Sequence, residues 1–141
     1  MTTSTRITPL RYALIATGVI FIFGLETLGQ VWPSGWHWGI GHSHYWPMIV
    51  SVYATLGAFL IRASGDPLGN LSLIWFTIFS SVVHSLAMGL SALQDPAEGG
   101  HLIGDVPALL IIAAALTILT QRACRTEVVT RGIRWETRSA A

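Results

Sequence analysis

Histidine and carboxylate are the residue types whose positions in this sequence point to chemistry. The five histidines, His37, His42, His44, His84 and His101, lie in or lean toward two polar stretches, Pro33 to Tyr45 and Gln94 to His101. His42 and His44 are two residues apart, and in an extended segment such a pair points the same way and can hold one ion. His101 and Asp105 are four apart, so they share a face if a helix begins early there. Two further ionisable groups stand inside apolar runs, Glu26 in Gly24-Leu25-Glu26-Thr27-Leu28 and His84 in Ser80-Ser81-Val82-Val83-His84-Ser85. A carboxylate at membrane depth must be protonated, paired, hydrated or bound to a cation, and an imidazole there needs a hydrogen-bond partner or a metal. Nitrogen and carboxylate donors without thiolate suit zinc, iron or copper(II). The expected site is therefore a transition-metal site drawn from Glu26, His42, His44, His84, His101 and Asp105.

Plainer roles compete with each of these. Glu26 also fits a neutral acid hydrogen-bonded across helices, and His84 fits an imidazole clamped by a neighbouring serine or carboxylate. Asp105 precedes Val106-Pro107, where a carboxylate caps a helix, and a capping carboxylate can still orient His101. Met88, one turn from His84, reads as packing. Trp32, Trp36, Trp38, Tyr45 and Trp46 read mainly as an interfacial aromatic belt. Asp66 and Asp95 each precede a proline and read as turn formers.

These residues must be positioned by a membrane fold. Of 141 residues, 52% are hydrophobic and 11% charged, well below the roughly 25% charged of soluble domains. A net charge of +1 gives no reason to expect a nucleic-acid partner, and the basic excess after Thr120 suits anionic lipid headgroups. Four apolar windows approach the roughly 20 residues a spanning helix needs: residues 10–32, 46–61, 71–93 and 102–120. The first is read as a retained helix, because it is long, contains Glu26 and lacks a clear cleavage site. Arg6, Arg11, Arg62, Arg122, Arg125, Arg131, Arg134 and Arg138 fall at the N-terminus, the middle connection and the tail, which marks that pole as cytoplasmic and the histidine pole as extracytoplasmic.

Short connections predict an all-α fold, a transmembrane antiparallel four-helix bundle over 1–121 with both termini cytoplasmic, multi-pass in the inner membrane. Residues 122–141 are expected as a loosely ordered or surface-bound basic tail. Ser81, Ser85 and Gly89 form a small-residue face that lets another backbone approach, with His84 on the adjacent stripe at an interhelical seam. Cys124, the one cysteine, rules out an intrachain disulfide and reads as a bystander.

The segments Tyr53-Ala54-Thr55-Leu56-Gly57, Asp66-Pro67, Ser72-Leu73-Ile74-Trp75-Phe76, Ser80-Ser81-Val82-Val83-His84 and His101-Leu102-Ile103-Gly104-Asp105-Val106-Pro107-Ala108-Leu109 add a family signal. From the end of the first polar loop through the fourth window, the chain resembles a group of small uncharacterised bacterial four-pass membrane proteins. The resemblance implies the same topology and includes His84, His101 and Asp105 in the group's pattern, without an activity.

No phosphate-cradling glycine loop, G-x-S-x-G, C-x-x-C or H-E-x-x-H occurs, so common soluble enzyme classes receive little support. The leading expectation is a membrane-embedded metal site, with an oxidoreductase or hydrolase conceivable. One alternative is a tetrapyrrole-binding electron carrier with haem held by His84 and His101. Another is a non-enzymatic accessory or lipid-binding subunit, as a homo-oligomer or part of a larger membrane complex.

Overall fold

The computed structural model describes residues 4–36 and 45–139, with side chains over 7–36 and 46–129. Described elements are all helical: α1 (Ser4–Val19), a π-helical turn (Ile20–Gly24), α2 (Leu25–Val31), a 3₁₀ turn (Pro33–Gly35), α3 (Tyr45–Ala63), a 3₁₀ turn (Leu68–Asn70), α4 (Leu71–Gln94), a 3₁₀ segment (Pro96–Leu102) and α5 (Asp105–Ser139). Four helical stretches are long and apolar enough to cross a bilayer: Ile7–Val31, Trp46–Ala63, Leu68–Gln94 and Pro96–Val129. Large apolar side chains such as Phe23, Val52, Phe76, Phe79, Val83, Leu86, Leu90 and Ile111 face outward. That pattern suits lipid contact, because hydrocarbon solvates such a surface where water would not.

The first span is not one continuous α-helix. Its π-helical turn, Ile20–Gly24, carries Phe21, which is 1% exposed and meets the Tyr53 ring edge to face at 4.9 Å. One turn earlier α1 and α3 cross at close range. A Cβ on Gly18 would collide with the Gly57 carbonyl, and a Cβ on Gly57 with that of Gly18. Two glycines facing one another let the backbones of α1 and α3 touch, which is how helices associate where no hydrophobic force separates lipid from protein.

The small-residue face of α4 packs as its spacing suggests at Ser81 and Ser85, both 2% exposed. Ser85 donates to the Ser81 carbonyl at 2.8 Å and lies 3.3 Å from the Val106 carbonyl, tying α4 to the start of α5. Gly89 behaves differently: a Cβ there would meet nothing within 4 Å. The core runs along these seams through Leu10, Leu14, Phe21, Leu60, Ile74, Ile78, Leu109, Ala113, Leu116 and Ala123.

Helix order in space departs from order in sequence. α1 packs on α3 and α5, and α4 on α5, whereas α3 and α4 touch in few places despite their tight connection. Arg11 reaches that connection from α1, donating from Nε to the Ser64 carbonyl at 2.8 Å and from a terminal guanidinium nitrogen to that of Gly65 at 2.6 Å. Its guanidinium satisfies carbonyls that the end of α3 leaves without intrahelical donors.

Past the apolar window that ends at Thr120, where a loosely ordered or surface-bound tail is expected, α5 continues as helix to Ser139. Its 35 residues measure about 52 Å at 1.5 Å per residue, beyond the roughly 30 Å of a bilayer core. Its one proline, Pro107, stands in the first turn, where a missing amide costs nothing, and the fully buried Ala123 extends the packing of α5 past the apolar window. Cys124 is free and half-buried on that extension.

Candidate functional site

His101 sits where two short 3₁₀ segments lock together through glycine. Asp95 opens the second, accepting from the Ala97 amide at 2.9 Å in the turn that Asp-Pro favours. A Cβ on Gly100 would strike the Ser34 carbonyl, and one on Gly104 the Gly35 carbonyl. The Pro33–Gly35 turn therefore lies directly on the backbone that carries His101. Gly104 also accepts from the Ala108 amide at 3.4 Å, taking the position before α5 and leaving Asp105 as the helix's first residue instead of its cap.

Under this clasp His101 is fully buried, and both its ring nitrogens face carboxylates. Nδ1 lies 3.0 Å from Asp105 Oδ2, and Nε2 lies 3.2 Å from Glu98 Oε2. The two carboxylates differ in access to solvent, Glu98 being 15% exposed and Asp105 8%. Within the 3₁₀ segment Glu98 and His101, three apart, eclipse on one face, and the turn at 103–104 brings Asp105, the first residue of α5, to the other ring nitrogen. Neutral imidazole has one N–H donor and one lone pair, so a ring flanked twice by acceptors requires a proton held between the three groups.

Asp105 links this trio to the membrane interior. It is 6% exposed, and its second oxygen, Oδ1, is buried without a hydrogen-bond partner. Asp105 and His101 are close enough to act electrostatically on His84 of α4, and Asp105 acts likewise on Tyr53 of α3. The Tyr53 and His84 rings meet edge to face at 5.8 Å. Neither ring makes a hydrogen bond to another described side chain. Glu98, His101 and Asp105 thus hold one another by direct contact, and the Tyr53–His84 pair of α3 and α4 joins the cluster only through its electrostatic proximity to Asp105.

Glu26 does not belong to it. Its side chain is exposed, accepting from Gln30 Nε2 at 2.9 Å and from Trp46 Nε1 at 3.1 Å. Glu26 lies five residues before the end of α2, about 7.5 Å of helix, where an indole anchor and a one-turn glutamine supply donors locally. His37, His42 and His44 lie outside the described residues.

A model of a family of unknown function, DUF6632, matches residues 4–138. The chain belongs to this family. No curated protein and no solved structure matches it. Every side chain of the cluster falls within the matched stretch, but the family carries no activity that could be transferred to them.

Metal ligation finds limited support in the geometry. Among the described residues no three His, Cys, Asp or Glu side chains are grouped to hold an ion. With both ring nitrogens turned to carboxylates, His101 presents no free lone pair to a metal or to haem iron unless Glu98 or Asp105 swings away. Two members of the cluster escaped sequence reasoning. Glu98 was signalled by its three-residue spacing to His101, whereas nothing in the local pattern of α3 singles out Tyr53.

Proposed function

We propose that this member of the family is an inner-membrane protein, an antiparallel four-helix bundle with both termini cytoplasmic, whose extracytoplasmic half is an acid–base site. The arginine distribution supports this orientation. The antiparallel arrangement draws support from contacts at both ends, where Arg11 near the start of the first span bonds Ser64 after α3, and Glu26 in α2 bonds Trp46 near the start of α3.

In this reading Glu98, His101 and Asp105 form a proton-conducting chain from the surface to His84 and Tyr53. The single observation that carries it is the placement of a fully buried imidazole between two carboxylates of unequal exposure. Such a ring takes a proton at Nε2 and releases one at Nδ1 without moving. Nitrogen NMR of protein labelled in its histidine rings, reconstituted in nanodiscs, tests it. The His101 signals should report hydrogen bonding at both nitrogens, with the Nε2 signature lost in Glu98→Gln. A ring held as one neutral tautomer and indifferent to Glu98→Gln would refute the chain.

A second reading keeps a transition metal, zinc, iron or copper, at His84 and Asp105. Its support is that among the described residues the His84 ring has no hydrogen-bond partner and Asp105 Oδ1 is unpartnered, which leaves one nitrogen and one oxygen donor available. Metal analysis of detergent-purified protein decides it: stoichiometric metal lost in His84→Ala supports it, and a metal-free wild type after reconstitution attempts sinks it.

A further inference from the structure

Glu26 presents a carboxylate on the outer surface of the first span, and among the described residues no cation is paired with it. Its two oxygens accept from Gln30 Nε2 at 2.9 Å and from Trp46 Nε1 at 3.1 Å, both neutral donors. The chain contains no lysine, and its arginines stand at 6, 11, 62 and from 122 onward. Arg11, on the same span, is roughly 22 Å of helix away. We infer that Glu26 receives the primary ammonium headgroup of an ethanolamine-type phospholipid from the leaflet at this end of the bundle. The inference goes beyond the acid–base reading and is independent of it, because Glu26 stands apart from the His101 cluster.

Four features select this ligand class. The level is that of lipid headgroups, since Trp46, which bonds Glu26, opens the second span, and indoles gather at the membrane–water interface. Access is open, because Glu26 and Gln30 are both exposed. Each carboxylate oxygen has capacity beyond the one bond it accepts, and Gln30 Nε2 carries a second N–H. The site therefore offers acceptors to an ammonium and a donor to the phosphate that adjoins it. Farther along the same span Val19, Ile20 and Phe23 are exposed, an apolar surface along which an acyl chain can lie. A carboxylate at a span's edge is costly without a counter-ion, and this lipid brings one with it.

Other occupants fit less well. A glycerol headgroup carries no cation, and its phosphate is repelled by the carboxylate. A choline headgroup is cationic but has no N–H to donate, and its methyl groups keep the charge farther from the oxygens. A second copy lying parallel in the membrane would bring its arginines to the opposite end of the spans.

Native mass spectrometry of the full chain in detergent micelles, titrated with dioleoyl phospholipids that differ only in headgroup, tests the inference. The ethanolamine lipid should be retained about fivefold more tightly than the choline or glycerol lipid, the preference an exposed ion pair supports. Glu26→Gln keeps a neutral acceptor for the indole and removes the charge, so it should bring the three lipids level. The wild-type headgroup series stands by itself if that variant folds poorly. Phosphoethanolamine, which has the headgroup and no acyl chains, should not displace the lipid at equal concentration. Equal retention of ethanolamine and choline lipids by the wild type, tighter retention of the glycerol lipid, an undiminished preference in folded Glu26→Gln, or displacement by phosphoethanolamine would overturn the assignment.

Discussion

Removing the Asp105 carboxylate should destabilise the bundle far more than removing that of Glu98, although both contact the same imidazole. In Asp105→Ala, Nδ1 of a fully buried ring loses an acceptor at 3.0 Å on its enclosed side, where the partner was 8% exposed. Leaving a buried donor unsatisfied costs about 1–3 kcal/mol, and breaking a buried charged pair about 3–5 kcal/mol. Because His101 keeps Glu98, the expected loss lies near the overlap, about 3 kcal/mol. Glu98→Ala removes a longer contact of 3.2 Å on the more open side, where the partner was 15% exposed. Water can replace that acceptor, so the cost should be about 1 kcal/mol or less. Helical membrane proteins set a useful lower mark, since their interhelical hydrogen bonds average about 0.6 kcal/mol. Reversible unfolding by SDS titration in mixed micelles measures both variants and, with His101→Gln, the coupling in a double-mutant cycle. An Asp105→Ala cost at or below the 0.6 kcal/mol mark, or one no larger than that of Glu98→Ala, would refute the picture of an enclosed imidazole between unequal carboxylates.

Gly57→Leu should unfold the bundle at markedly lower SDS, losing about 2–3 kcal/mol as the Gly18 carbonyl is displaced. Gly89→Ala, with open space around it, should be neutral or stabilising by up to about 1 kcal/mol from helix propensity. The clasp predicts a similar contrast between neighbours: Gly100→Ala collides with the Ser34 carbonyl and should destabilise, whereas Gly99→Ala meets nothing within 4 Å and should not. Thermal unfolding in detergent compares the two. For topology, Cys124 should resist a membrane-impermeant maleimide in intact cells, while Gly99→Cys in a Cys124→Ser background should react. The opposite pattern would invert the orientation.

Much of the fold was legible because the signals are local. Runs of apolar residues near 20 long announce spans without reference to anything else in the chain. Ser81 and Ser85 revealed a packing face by periodicity alone. The His101 and Asp105 pair was legible from its spacing of four, although the two residues stand on different elements, the 3₁₀ segment and α5, which the turn at 103–104 brings together. Glu98 obeys the same rule with a spacing of three.

Other features depend on partners the local pattern does not name. Glu26, expected as a site residue because an acid in an apolar run is costly, accepts hydrogen bonds from Gln30 and Trp46, and the indole comes from another helix. α5 continues past its apolar window because helix-forming residues with one packed face do not need lipid. Neither the π-helical turn that presents Phe21 to Tyr53 nor the Gly18 and Gly57 crossing leaves a periodic trace.

The sequence by itself determined that this is an all-helical chain with four apolar stretches able to span a membrane. Hydropathy and charge act residue by residue, so no tertiary contact is needed to read them. Only the tertiary structure decided that α3 and α4 stand apart, that Tyr53 joins His84, and that Asp105 is left with an unpartnered oxygen. Those facts arise from how separate helices pack, because a hydrogen bond or ring contact between distant residues depends on positions no local pattern encodes.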